Sequence, residues 1–308
     1  MGDFKSHAGI NISANKLQLL EVKKEKEHSE IININESYFN EQLDFSIEKN
    51  TSLSSALQTA FDDIQLKQPI TSSLVSFSLP QEIFYTVQLP YETSLSQKEL
   101  IEEFRWELSL LYPFVPLEEL IVQYVKMDRN SINKKNTALV IAIEKKHIKL
   151  IKNFCIKNNL SLRYVDSSMI AANRLFNSME ELTSKGLTLN ILTVSNSFSF
   201  TLNVSRKPAY VRIFQVAKNK KVSDILADEL NSSNLKNIKT ELANEAYISG
   251  DGITAELISQ LRIATGLNFK QLNPFKDSKV KQDLKNGNLI DEKYSSFTSA
   301  AGIAFRLI

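Results

Sequence analysis

The chain has 308 residues, enough for two ordinary domains or one large bilobed unit at roughly 100–200 residues per domain. Its 43% hydrophobic and 23% charged content is ordinary globular composition, and 37 basic against 35 acidic residues leave a net charge of only +2. That balance lacks the basic excess of a duplex-binding surface, so no nucleic acid is expected as a partner. Three histidines and one cysteine, in no His-x-x-x-His or Cys-x-x-Cys spacing, exclude a zinc site built on those ligands.

The opening reads as a β-meander: Gly9 to Ile12, then Lys16 to Val22 with Leu17, Leu19, Leu20 and Val22, then Glu30 to Asn35 alternating through Ile32 and Ile34. A helix is predicted over Leu53 to Leu66, with Leu53, Leu57, Ala60, Phe61 and Ile64 at helical spacing. Strands follow at Ser72 to Leu79 and Ile83 to Leu89, each closed by a proline. Ser96-Gln97-Lys98-Glu99 has the capping-box pattern, opening a helix with Leu100, Ile101, Phe104, Leu108 and Leu111 on one face. Ile121 to Met127 and Thr137 to Glu144 read as strands, Lys145 to Asn158 and Ser168 to Thr183 as helices, and Leu162 to Val165 as a strand between them.

From Leu187 the opening pattern returns. Leu187 to Val194, Phe198 to Val204 and Ala209 to Val216 are strands, followed by a helix (Val222 to Leu230), a strand (Ala246 to Ser249), a helix (Thr254 to Thr265), a strand (Asn268 to Leu272) and a terminal helix from Ser295. The repeat matches Asn11 to Thr193, an offset of 182 residues. So long a period points to two similar lobes with a cleft between them, a common place for a ligand, and not to a solenoid.

No apolar run reaches the roughly 18–20 residues that cross a bilayer; the longest candidate, Ala138 to Ile143, is strand-sized. The start, Met1-Gly2-Asp3-Phe4-Lys5, lacks the features of a signal peptide, and the lone Cys155 cannot form an internal disulfide. A soluble, cytoplasmic chain is expected. Cys155 falls in the apolar pattern Ile151, Phe154 and is assigned to the core. His28, in a charged run, and His147, after Lys145-Lys146, are expected at solvated positions. His7 has no visible catalytic arrangement. Lys145-Lys146 and Lys218-Asn219-Lys220-Lys221 could touch anionic lipid, but they are short and no amphipathic helix with a basic flank accompanies them, so they read as solvated loop residues.

Several separated segments, taken in order, carry a resemblance. They are Gly9-Ile10-Asn11-Ile12-Ser13 with Leu19-Leu20-Glu21-Val22; Leu79-Pro80 and Gln88-Leu89-Pro90; Glu102-Glu103-Phe104-Arg105-Trp106-Glu107 running into Tyr112-Pro113-Phe114; Tyr164-Val165-Asp166 with Ala171-Ala172-Asn173-Arg174-Leu175-Phe176; and Ile248-Ser249-Gly250-Asp251-Gly252, Leu272-Asn273-Pro274-Phe275 and Ala301-Gly302-Ile303-Ala304-Phe305-Arg306. Together they resemble the actin-like superfamily, and within it the PilM type of type IV pilus assembly protein. FtsA and the cytoplasmic domain of the type II secretion L-type protein are relatives in that superfamily.

The resemblance implies an α/β fold of two actin-like lobes, each on a five-stranded mixed sheet flanked by helices, with a small inserted subdomain. Residues 1–79 would begin the first lobe, 80–150 form the inserted subdomain, 151–186 end the first lobe and link onward, 187–290 form the second lobe, and 291–308 return to the first lobe as a helix. It also implies a cleft that binds ATP with Mg²⁺ through two Asp-x-Gly hairpins, glycine letting the backbone approach the phosphates and Asp holding the ion. Here Asn11 and Ser13 stand at the first pair of positions, Thr193 and Ser195 at the second, and Gly250 with Asp251 where the family has a glycine pair near base and ribose. Neutral oxygens replace both carboxylates and side chains replace both glycines, so no cofactor is expected and the cleft is read as degenerate. The stretch from Lys218 to Glu245 also looks short of one helix around the nucleotide.

The function implied is a non-catalytic scaffold of a type IV pilus or related secretion machine. Its partner would be the cytoplasmic N-terminal segment of a single-span inner-membrane protein of the PilN kind, held in a groove between first lobe and inserted subdomain, with the motor ATPase as a further partner. An ATP-binding switch of the same assembly, a type II secretion L-type cytoplasmic domain, an FtsA-like role and a sugar-kinase-like enzyme are the alternatives. Within the aromatic run, Trp106 lies off the apolar stripe; Trp106, Tyr112 and Phe114 are the candidate partner contacts, and Phe4 is another.

Overall fold

The computed structural model describes residues 6–25, 28–45, 50–127, 129–130, 132–179, 186–217, 220–232, 235, 245–284 and 287–307. The first lobe is built from β1 (Ser6–Ile12), β2 (Lys16–Lys24), β3 (Ser29–Tyr38), α1 (Asn50–Lys67) and β4 (Leu74–Leu79). Then come β5 (Phe84–Pro90), α2 (Gln97–Leu111), β6 (Leu120–Met127) and β7 (Thr137–Glu144), and the chain returns through α3 (Lys145–Lys157), β8 (Ser161–Ser167) and α4 (Ser168–Ser178). The second lobe holds β9 (Leu187–Val194), β10 (Ser197–Val204), β11 (Lys207–Gln215), α5 (Val222–Leu230), β12 (Glu245–Gly250), α6 (Ala255–Thr265) and β13 (Asn268–Gln271). A two-residue strand, β14 (Lys279–Val280), and α7 (Thr298–Ala304) lie near the end.

The sheets run β14-β3-β2-β1-β4-β8, β11-β10-β9-β12-β13 and β5-β7-β6. In both lobes an antiparallel meander continues into parallel strands, β4 beside β1 and β12 beside β9, so the duplicated pattern is real. The first sheet has six strands where five were expected, because β14 adds in parallel to the outer edge of β3. Two residues carry no readable alternation. The predicted helix over Ser168 to Thr183 stops at Ser178, and residues 180–185, like Phe4 and residues 218–219, 233–234 and 236–244, lie outside the described residues.

Sheet alternation sets the two cores of the first lobe. Ile10, Ile12, Leu17, Leu19 and Phe77 pack beneath α1 and α3, where Phe154 meets Phe61 and Phe77 edge-on at centroid distances of 5.2 and 5.9 Å. Leu20, Val22, Ile31 and Ile34 pack on the other face with α4 and α7. Each such side chain contributes about 1.5–3 kcal/mol by leaving water. Cys155 is buried in the first cluster, and burial pushes its thiol up to about 12, which fits a core residue and not a nucleophile.

His147 corrects the expectation of a solvated histidine. It follows two exposed lysines, but it sits on the inward face of α3 beside Leu150 and Ile151 and is buried, its pKa lowered by that burial. His7 is also buried and is structural: Nδ1 lies 2.6 Å from the Ala304 carbonyl and Nε2 2.9 Å from Ser76 Oγ, tying β1 to β4 and α7.

Candidate functional site

The cleft is floored by a polar row crossing the first sheet. Register places Glu36 opposite Gln18, Gln18 opposite Asn11, and Asn11 opposite Ser78. Asn11 is engaged within it at both ends, Nδ2 donating to Gln18 Oε1 (3.1 Å) and Oδ1 accepting from Ser78 Oγ (2.8 Å). Ser13 closes its own hairpin. Its hydroxyl accepts from the backbone N–H of Asn15 and of Lys16, each at 3.3 Å. Those are the donors a phosphate-binding turn would turn toward an anion.

From the second lobe, Ser195 holds the left-handed backbone (φ 50°) that a glycine would adopt more readily. Its hydroxyl accepts from Asn15 Nδ2 at 3.4 Å, so the two hairpins touch. Thr193 Oγ1 donates to the Asp251 carbonyl (2.6 Å), and Asp251 N–H donates to the Thr193 carbonyl (2.9 Å). Gly250 (φ 108°) sits at this crossing, where a Cβ would fall 1.9 Å from the Thr193 carbonyl oxygen. Close backbone approach accounts for that glycine without any ligand.

Lys16, absent from the sequence candidates, occupies the centre. Its buried ammonium lies 2.9 Å from Glu36 Oε2 in its own lobe and 2.9 Å from Asp251 Oδ1 in the other. Lys293 Nζ adds a bond to Glu36 Oε1 (2.7 Å), and Gln18 Nε2 donates to Glu36 Oε2 (3.3 Å) and Ser296 Oγ (3.1 Å). Desolvation alone would lower the lysine, but Asp251 and Glu36 outweigh it and hold Lys16 above its ordinary value. Desolvation likewise opposes the Glu36 carboxylate, yet Lys293 and Lys16 hold it below the usual glutamate value. A readable signal existed: Lys16 and Gln18 alternate with Leu17 and Leu19 at the start of β2, opposite Tyr38 and Glu36.

Groups that a magnesium–triphosphate would call on here already have partners within the chain. No group of three or more His, Cys, Asp or Glu converges among the described residues. The Asp251 carboxylate is committed to Lys16, and the first hairpin's N–H groups are committed to Ser13.

A second concavity lies on the inserted subdomain's far side. Strand β6 alternates: Leu120 and Val122 face α2 with Phe104 and Leu108, while Ile121, Gln123 and Val125 face away. With Ile141 and Ile143 of β7 they oppose Leu162 and Tyr164 of β8 across a groove of about 400 Å³. Among the described residues β6 and β8 are both sheet edges, so unpaired strand borders flank the groove. Its polar end is Asp166 Oδ2, which accepts from Arg174 Nη1 (2.7 Å) and Arg306 Nη1 (2.6 Å); the Arg306 guanidinium also stacks 3.6 Å above the Tyr164 ring.

The aromatic candidates do not meet in this groove. Trp106 and Phe114 are 59% and 96% exposed, placed by α2 and the turn after it, whereas the groove is on the opposite face of the subdomain sheet. Tyr112 turns inward, its ring 4.7 Å from that of Tyr85, and burial raises its phenol.

No protein-family model matches the chain, and no curated protein matches it in sequence. Solved structures do. A chain of the PilM–PilN type IV pilus biogenesis complex superposes with a TM-score of 0.73 at 17% identity, covering 99% of both chains. The fold is actin-like. A Bacteroides thetaiotaomicron protein with actin-like ATPase fold and unknown function gives a TM-score of 0.53 at 14% identity, covering 91% of this chain and 96% of that one. The cytoplasmic domain of EpsL, an inner membrane component of the Vibrio cholerae type II secretion system, gives 0.48 at 9%, covering 90% and 89%. The expected pair of lobes with an inserted subdomain is therefore the actual architecture, and no helix among the described residues is long and apolar enough to cross a membrane.

Proposed function

We propose that this chain is a non-catalytic scaffold of a type IV pilus or related secretion machine, peripheral at the inner face of the inner membrane. It holds the cytoplasmic N-terminal segment of a single-span partner of the PilN kind and links that partner to the cytoplasmic ring and its motor ATPase. The observation that carries the reading is the apolar groove between two sheet edges. An extended segment laid there gains main-chain hydrogen bonds from β6 or β8 and places alternate side chains between Ile121, Val125, Ile141 and Leu162. End-to-end likeness to a chain of the PilM–PilN complex supports the same reading.

The test is a fluorescence-anisotropy titration with a labelled synthetic peptide copying the N-terminal cytoplasmic segment of a PilN-type protein from the same genome. Saturable binding in roughly the micromolar range is expected. Ile121→Glu and Val125→Glu, both at exposed positions, should each weaken it about tenfold or more by putting charge into an apolar contact. Wild-type affinity in both variants, or equal affinity for a scrambled peptide, refutes the groove.

Recruitment needs no hydrolysis, and the cleft chemistry favours its absence. Calorimetric titration with ATP and Mg²⁺ is expected to show no saturable heat up to about 1 mM, because binding must first break the Lys16 bridge and the Ser13 turn. Sub-micromolar binding would establish the nucleotide-switch alternative instead.

A further inference from the structure

Lys145 and Lys146 were read as solvated loop residues although the helix predicted over Lys145 to Asn158 begins with them; with three further lysines they stand on one face of α3, 13 residues long. Lys145, Lys146, Lys149, Lys152 and Lys157 contain no acidic residue between them, so α3 carries +5 in a chain whose net charge is +2. At about 100° per residue they span an arc of roughly 140°. Ile156, 64% exposed, lies near the middle of that arc, and the opposite face buries Leu150, Ile151 and Phe154. Among the described residues Lys146 pairs with Glu144 at 3.0 Å, and the other four have no carboxylate partner. Beside them a groove of about 560 Å³ separates α3 from α1. Thr51, Ser54, Ser55 and Gln58 line it with Lys149 and Lys157, and no carboxylate does. Asp62, one turn further along α1, accepts Gln58 Nε2 at 2.7 Å.

We propose that this α1–α3 face is a contact surface for anionic phospholipid headgroups. Ammonium groups and hydroxyls suit phosphate oxygens, the lysine array suits a surface of spread negative charge, and a lone exposed isoleucine suits the shallow apolar layer below the headgroups. A basic helix flat on such a surface binds through charge first, so attraction falls off within a Debye length and weakens with salt. The face also adjoins the groove described above, since Ile148 of α3 lines that groove's wall. Contact through α3 would hold the groove close to the bilayer, where the tail of a single-span protein emerges. The lipid surface rests on its own charge pattern, and its assay contains no peptide, so the two readings fail separately.

The test is co-sedimentation of the full chain with vesicles of phosphatidylcholine alone and with about 30% phosphatidylglycerol. At least tenfold greater partition onto the anionic vesicles is expected, abolished near 0.5 M salt and in Lys149→Glu/Lys152→Glu. Ile156→Ser should reduce it a few-fold. Circular dichroism confirms that the variants, all at exposed positions, stay folded. Millimolar glycerol phosphate as competitor distinguishes a membrane surface from a site for free phosphate. Complete displacement by it, equal partition onto both vesicle types, or undiminished partition of the double variant overturns the proposal. So does a salt-sensitive dimer in sedimentation velocity that the same variant abolishes while vesicles bind nothing, because a second copy would then be the occupant.

Discussion

Replacing Lys16 with methionine is expected to destabilise the chain by about 3 kcal/mol, the lower end of the range for removing one partner from a buried ion pair. The side chains of Lys16 and Glu36 are 4% and 6% exposed, so the variant leaves a buried carboxylate with one of its two cations. Lys293, still 2.7 Å from Glu36, is what limits the loss. Asp251, 32% exposed, re-solvates more readily, and Asp251→Asn should cost only about 1 kcal/mol. Far-UV circular dichroism is the appropriate readout, because the single tryptophan, Trp106, reports only the inserted subdomain. Since the bridge spans the lobes, amide exchange at Asp251 and along the β1–β2 turn should rise in the variant.

Acidity offers an independent check. Glu36 is held below its ordinary pKa, so its contribution is complete above that value and disappears as pH falls through the lower, folded one. Lys16 is held above its ordinary value, so its contribution is complete below that value and is lost only as pH rises through the higher, folded one. The clasp is whole across neutral pH. Wild type should therefore lose more stability between about pH 7 and about pH 3 than Lys16→Met does. Equal slopes would mean that the Lys16–Glu36 contact contributes nothing.

How far the sequence could be read follows from which interactions are local. The meander of β1 to β3 was legible from alternation, and α2 from Ser96 and Glu99, which form both capping bonds, at 3.4 and 2.8 Å. Trp106 was placed outward by periodicity, and it is. Lys16 was missed because a lysine beside a turn reads as solvent-facing, and its burial is made tolerable by Glu36 of β3 and by Asp251 from the other lobe, the latter a pairing that no local pattern shows. His147 was misplaced by its charged neighbours, though helical spacing from Leu150 and Ile151 already turned it inward. The groove between first lobe and inserted subdomain was expected from the resemblance alone and had no signal in periodicity, since its two edges, β6 and β8, come together only after α3 has carried the chain back to the first lobe.

The largest loss of fold is expected from Gly302→Ala. The closing segment around Gly302 and the earlier Ala171-Ala172 pair carried part of the family resemblance, and their contact explains the small residues. Every residue of α7 is buried, and α7 crosses α4 so closely that a Cβ at position 302 would lie 1.9 Å from the Ala171 carbonyl oxygen and 2.4 Å from its carbon. Gly9 makes the matching approach from the sheet, where a Cβ would fall 2.4 Å from the Ala300 carbonyl oxygen. The obstacle is backbone on both sides, so no side chain can rotate away and α7 must move as a whole. Overpacking of this kind costs about 3 kcal/mol or more, although alanine is intrinsically the better helix former by about 1 kcal/mol; any net loss is therefore packing. Gly252→Ala supplies the contrast. Nothing lies within 4 Å of its added Cβ, and only its positive φ (70°) opposes the change, at about 1–2 kcal/mol. Soluble yield and thermal midpoint should thus fall far more for Gly302→Ala than for Gly252→Ala. Equal losses would mean that α7 and α4 do not meet at backbone distance.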